Sequence, residues 1–232
     1  MPLLVVIGYG PGNGHAIAHR FGREGWSIAL IGRRAERLNA GVAHLEAAGV
    51  TARGFVGDAG DPASLRATLQ SIRAELGPVS AIALTAYRNV VVDDVLTAPP
   101  ATVAHVFDIG VAGLLTAVQT TLDDLRAADS PSVLVVNGAL GLQDEAIDGY
   151  AVSFGGDGVA LECAAKTKLV GLLAARLRPE GVYVGEIVVN GSVKGSPHAG
   201  PTAIDPADIA DRLWRMADER TEVHVHIAEQ RS

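Results

Sequence analysis

A chain of 232 residues, 48% hydrophobic and 19% charged, is long enough for one compact domain with a full core. Its formal net charge of −7 opposes nucleic-acid phosphates, and no uninterrupted apolar run approaches the ~18 residues of a membrane span, so neither nucleic acid nor membrane is an expected partner. One cysteine, Cys163, leaves no internal disulfide, and no basic stretch precedes Leu3, so the expected compartment is the cytoplasm.

Leu3–Ile7 is a short apolar run rich in β-branched residues, as in a strand buried on both faces. Gly8, Gly10, Gly12 and Gly14 follow within seven residues, and a helical pattern begins after them. A strand, a glycine turn and a helix N-terminus make an anion site, because backbone N–H groups approach a phosphate where no Cβ intervenes. Gly8, Gly12 and Gly14 have the spacing G-x-x-x-G-x-G, with Asn13 inside the turn.

The second strand, Ser27–Ile31, ends in Gly32-Arg33-Arg34. A carboxylate here bonds the ribose 2′-hydroxyl of NAD, whereas arginine suits the 2′-phosphate of NADP. Gly32 stands in the carboxylate's place, so NADP(H) is favoured over NAD(H), with one arginine expected simply to begin the next helix. The third strand, Thr51–Val56, leads to Gly57-Asp58-Ala59. Asp58 is equally suited to accept from an adenine amino group or to close a turn. Asp61-Pro62 then reads as a helix cap followed by proline at the first helical position.

Further strands are expected at Val79–Leu84, Ser132–Val136, Val182–Val189 and Glu222–Ile227. Helices are expected at Arg34–Ala48, Pro62–Leu76, Pro100–Ala127, Gly158–Arg178 and Pro206–Ala217. This alternation predicts an α/β architecture: one Rossmann-type, doubly wound parallel sheet of about seven strands, a single NADP-binding domain over 1–232. The least regular stretch, Leu142–Gly158, is acidic and glycine-rich and follows the fifth strand. It is expected to be a substrate-side loop at the carboxyl edge of the sheet. Substrate specificity is expected from this loop and from Ser192–Pro206.

Together the glycine turn, Gly32-Arg33-Arg34, Gly57-Asp58 before a capped helix and the strand alternation resemble the short-chain dehydrogenase/reductase family, from Leu3 to about Ile227. The resemblance implies cofactor contacts at Gly8, Gly12, Asn13, Gly14, Arg33, Arg34, Asp58, Ala59, Thr85, Ala86 and Ser192. It also implies a homodimer or homotetramer built on the Pro100–Ala127 and Gly158–Arg178 helices.

The resemblance breaks at the family's catalytic Asn, Ser, Tyr and Lys, which marks a divergent branch. No tyrosine here has lysine four residues later: Tyr9, Tyr87, Tyr150 and Tyr183 are followed at that spacing by Asn13, Val91, Phe154 and Ile187. Anchoring on Gly181 puts Val159 and Cys163 in place of the pair, and choosing Lys166 as the lysine puts Glu162 at the tyrosine. Gly138 stands for the serine and Gly110 for the asparagine. A phenol with no neighbouring ammonium, near its ordinary pKa of ~10, is a weak general acid at neutral pH.

Three readings stay open. The first is a divergent NADP-dependent oxidoreductase of activated small molecules such as conjugated carbonyls, quinones or imines, with Tyr150 and then Tyr87 as candidate donors. The second is a non-redox cyclase, isomerase or dehydratase using Asp144, Glu145 or Asp148. The third is an inactive NADP-binding protein. Lys166 is expected on a solvated face, paired with Glu162 at i, i+4. His224 and His226 share one side of the last strand and are expected to be surface polar residues, with no metal site. Cys163 reads as a small residue for close helix packing.

Overall fold

The computed structural model describes residues 1–87, 92–196 and 199–229. Seven strands are β1 (Leu3–Ile7), β2 (Ser27–Gly32), β3 (Ala52–Val56), β4 (Ala81–Leu84), β5 (Ser132–Gly138), β6 (Tyr183–Asn190) and β7 (His224–Ala228). They pair only in parallel, in the order β3-β2-β1-β4-β5-β6-β7. The expected α/β Rossmann-type sheet is therefore present. The order reverses direction between β1 and β4, which opens a crevice at the carboxyl ends of those strands.

The helices are α1 (Asn13–Arg23), α2 (Ala35–Ala47), α3 (Pro62–Leu76), α4 (Pro100–Ala104), α5 (Leu114–Ala127), α6 (Glu145–Ser153), α7 (Asp157–Leu177) and α8 (Pro206–Glu219). Alternate residues of β1 feed two cores, as the two-residue period of a strand requires. Leu3, Val5 and Ile7 pack with side chains of α3, α5 and α7, while Leu4 and Val6 pack with those of α1, α2 and α8. Asp61 caps α3 by accepting from Ala63 N and Ser64 N, and Pro62 takes the first helical position.

Two regions differ from the sequence expectation. The stretch Pro100–Ala127 is helical but broken by a 3₁₀ turn, His105–Phe107, and a π turn, Asp108–Gly113. By length and composition it is apolar enough to cross a membrane, which a count of uninterrupted apolar residues does not register. Its Leu114, Ala117, Val118 and Leu125 nonetheless pack into the core beneath the sheet, so it is a core helix here. The second difference is the supposed loop at Leu142–Gly158, most of which is helix α6. Asp144 caps it by accepting from Ala146 N and Ile147 N, and Glu145 and Asp148 lie in its first turn, where the helix dipole favours negative charge. The acidic residues that suggested a flexible lid are the residues that start a helix.

Candidate functional site

The glycine turn sits at the head of the crevice. Gly8 N and Tyr9 N donate to Ile31 O at 3.0 and 2.8 Å, tying the turn to the end of β2. Ala86 N donates to Ile7 O at 3.1 Å, and Thr85 Oγ1 donates to Gly8 O at 3.0 Å, tying it to the end of β4. Gly8 has φ +93°, and a Cβ there would collide with Ala86, so the position admits only glycine.

Gly12 caps α1 without a side-chain hydrogen bond, and no acidic residue lies in the first turn. His15 N is spent on Gly10 O at 3.0 Å, which leaves the amides of Asn13 and Gly14 for an anion, and a Cβ at Gly12 would meet only open space. Gly14 is buried in the first turn of α1, and Asn13 Oδ1 is buried with no hydrogen-bond partner among the described residues. Open space before the glycines and an orphaned amide oxygen beside them fit a group bound at this helix end. Burial pushes the Tyr9 phenol up, and its oxygen lies 3.0 Å from His15 Nδ1.

Arg33 and Arg34 follow β2 and are exposed, with no ion pair or side-chain hydrogen bond among the described residues. Arg34 is also the N-cap residue of α2, in extended conformation. Asp58 is locked as a turn aspartate: its Oδ1 accepts from Gly60 N at 2.9 Å, and its own N–H donates to Ser64 Oγ at 3.1 Å. Ala59 is buried, with its carbonyl against Gly113 of the π turn. Ser192, across the sheet, donates from Oγ to Glu229 Oε1 at 2.6 Å, and these bonds hold the Glu229 carboxyl below its usual range. Pro197 and His198, within the expected specificity segment Ser192–Pro206, lie outside the described residues.

The two tyrosines named as donors do not meet a partner. Tyr150 is 65% exposed on α6, its ring 5.1 Å from that of Phe154, and Tyr87 is 62% exposed after β4. Neither phenol oxygen is hydrogen-bonded among the described residues. Phe154 closes α6, so Tyr150 and the residue four places on do not share a helix with the long α7.

Cys163 of α7 lies against the end of β5, where a Cβ at Gly138 would be 3.3 Å from its Sγ. Burial pushes this thiol up, opposed by the charge of Lys166. Cys163 and Ala164 also press on the backbone at Gly141, the close packing expected of small residues.

Lys166 contradicts its expectation. It is not on a solvated face but 2% exposed, and Glu162 is equally buried, with Nζ 3.9 Å from Glu162 Oε1. An i, i+4 spacing specifies the pair but not the side of the helix on which it falls. The partner across the gap is Gly110 of the π turn, where a Cβ would lie 2.6 Å from Glu162 Oε1 and 2.7 Å from Lys166 Cε.

A second buried network was not anticipated. Asn137 Nδ2 shares its two N–H groups among Cys163 O at 3.0 Å, Thr167 Oγ1 at 2.9 Å and Glu186 Oε2 at 3.0 Å. Glu186 is 0% exposed, and its Oε1 lies 2.8 Å from His224 Nδ1. A carboxylate inside the apolar run Val184–Val189 was the available signal, since a buried charge demands partners. His224 and His226 are both exposed, and His224 is tied to the interior through Glu186. No group of three metal-ligating side chains occurs among the described residues.

A family model described as short chain dehydrogenase matches residues 3–156. The chain belongs to the short-chain dehydrogenase family. No curated protein sequence matches it. Solved structures match along nearly the whole length. A variant of a Serratia marcescens short-chain dehydrogenase/reductase is 16% identical, with a TM-score of 0.85 over 98% of this chain and 96% of that one. A metagenomic short-chain oxidoreductase solved with NADP is 21% identical, with a TM-score of 0.82 over 100% and 98% of the two chains. A Pseudomonas aeruginosa short-chain oxidoreductase, solved with NADPH and described as containing an atypical catalytic center, is 19% identical, with a TM-score of 0.83 over 100% and 96%. At these identities the likeness is one of fold.

Proposed function

We propose that this short-chain dehydrogenase family member is an NADP(H)-dependent oxidoreductase acting on a small activated molecule, such as a conjugated carbonyl, a quinone or an imine. The observation that carries the reading is the α1 N-terminus without a side-chain cap at the switch crevice, combined with two guanidinium groups at the end of β2 that are unengaged among the described residues. The amides around Gly12, Asn13 and Gly14 would hold the pyrophosphate, and Arg33 with Arg34 the 2′-phosphate. The free oxygen of Asp58 would face the adenine, the backbone of Ala59, Thr85 and Ala86 would line the middle of the cofactor, and Ser192 would border its nicotinamide end. When bound, NADPH supplies a hydride; the protein's part is to place the substrate and steady developing charge. NADP or NADPH in two relatives of the same fold supports the cofactor.

Activated substrates suit a site without the family's tyrosine and lysine, because they need less proton assistance. Tyr150 and Tyr87, being exposed and without hydrogen-bond partners among the described residues, fit contact with an approaching substrate better than proton transfer. The protein is proposed to be cytoplasmic and to assemble as a homodimer or homotetramer through α5 and α7, where Leu161 and Leu172 are exposed. The test is NADPH fluorescence titration, followed by absorbance loss at saturating NADPH across carbonyl, quinone and imine panels. Oxidation coupled to a reduced product is expected. Binding without oxidation of any of them contradicts the redox reading, and product formed with no change in cofactor favours non-redox chemistry in the same pocket.

A further inference from the structure

Glu229, one residue beyond β7, reaches across to the segment that follows β6. Its Oε1 accepts from Ser192 N at 2.5 Å and from Ser192 Oγ at 2.6 Å, and its Oε2 accepts from Thr202 Oγ1 at 2.9 Å. Gly191, at φ +142°, makes room for this contact, because a Cβ there would collide with the Glu229 side chain. The bonds from the Ser192 hydroxyl and N–H, then that from Thr202, hold the carboxyl below its usual range and keep it charged at neutral pH. No lysine or arginine pairs with it among the described residues.

A hydroxyl owns one proton and two lone pairs. Ser192 spends its proton on Glu229 and takes a bond from Gly200 N at 3.4 Å, so towards a ligand it can only accept. Thr202 has spent its proton in the same way. The corner is therefore a set of acceptors backed by a negative charge. Its place in the fold gives this polarity a use. With the strand order β3-β2-β1-β4-β5-β6-β7, a dinucleotide gripped at the end of β2 and at α1 lies with its other end toward β5 and β6, and Ser192 is two residues past β6. That end of a nicotinamide cofactor carries a carboxamide, whose NH₂ group is a donor.

We propose that Glu229 is a positioning residue that makes this corner accept only, so that the protein selects a carboxamide over a carboxylate at the far end of the dinucleotide. This rests on the NADP-dependent reading. The carboxamide NH₂ can donate to Ser192 Oγ. A carboxylate in its place brings acceptors without a donor, and a charge of the same sign as that of Glu229. Glu229 acts through Ser192 rather than by its own contact with the cofactor. Removing its side chain frees the Ser192 proton to turn outward, and the discrimination falls.

Two dinucleotides that differ only at this group read the claim without turnover. They are NADP⁺ and nicotinic acid adenine dinucleotide phosphate, in which a carboxylate replaces the carboxamide, each titrated by calorimetry at neutral pH. Wild type is expected to bind NADP⁺ about 10-fold more tightly or better, the scale of one hydrogen bond to a charged group. E229A is expected to bring that ratio to about threefold or less on the same scale. E229Q keeps an oxygen for Ser192 N and Oγ and is expected to stay closer to wild type than E229A does. A merely structural Glu229 would weaken both dinucleotides alike and leave the ratio where it was. Equal affinities in wild type overturn the proposal, as does an unchanged ratio in a folded E229A. Should E229A fail to fold, S192A decides: it removes the acceptor, so its ratio is expected to fall, and an unchanged ratio overturns the proposal. A wild type that binds neither dinucleotide brings down the functional reading and this inference with it, which separates the two failures.

Discussion

The two halves of the crevice are built from different materials. At the glycine turn the work falls to the backbone: amides at the start of α1, carbonyl ties from Ile31 and Ile7, and a position at Gly8 that admits no side chain. At the end of β5 it falls to side chains from separate elements, with Cys163 and Lys166 from α7 meeting Gly138 of β5 and Gly110 of the π turn. Outside positions such as Gly8 that require glycine, a backbone site keeps its donors when side chains change, and a side-chain site does not. A nucleotide cradle can thus persist while the acid–base ground beside it is rebuilt.

The sharpest way to separate the halves is to remove charge from one of them. Arg33→Ala with Arg34→Ala is expected to weaken NADPH binding by about 10- to 100-fold, the worth of charge-assisted hydrogen bonds of roughly 1.5–3 kcal/mol, with NADH binding unchanged. Parallel fluorescence titrations check it, and equal weakening of both cofactors would break the assignment of these arginines to a 2′-phosphate.

A packing change comes next. A Cβ at Gly41 of α2 would strike the Tyr9 ring, so Gly41→Ala is expected to destabilise the nucleotide half by about 1–3 kcal/mol, read as a lower Tm. An unchanged Tm would show that the glycine turn does not depend on the seating of Tyr9.

Acidification probes the same corner more gently. Burial, then the charges of His19 and His44, hold the His15 imidazole below its ordinary value. The folded state therefore binds fewer protons than the unfolded chain once pH falls below the unfolded value of ~6.5, and stability drops from there down to the depressed folded value. Wild type is expected to lose a few degrees more Tm than His15→Gln between pH 7.5 and 5.5. Identical losses would remove His15 as the cause. The smallest effect is expected on the other side of the crevice. Tyr150→Phe should change turnover by less than about threefold, since the exposed phenol has no partner; a loss on the 100-fold scale would restore Tyr150 as the proton donor.

What the sequence made legible follows the same division. The strands, the glycine turn and the Asp61-Pro62 cap are local patterns, and each appears where its spacing places it. The misread elements needed information from elsewhere. Asp144 with Glu145 and Asp148 carries the signature of a helix start, but glycines on either side of it suggested a loop. The burial of Lys166 depends on Gly110, fifty-six positions earlier in the chain, and no periodicity within α7 reveals it. The π turn that presents Gly110 is likewise invisible in a run that scores as plain helix. Glu186, a carboxyl group within the apolar run Val184–Val189, was a local signal that went unread.

Everything here depends on the uncapped start of α1 and the arginines after β2 gripping a phosphorylated dinucleotide. Calorimetric titration of the protein with NADPH and with NADH reads this directly. Saturable heat is expected with NADPH, and at least tenfold weaker association with NADH. No heat and no association with either cofactor at millimolar concentration would contradict it.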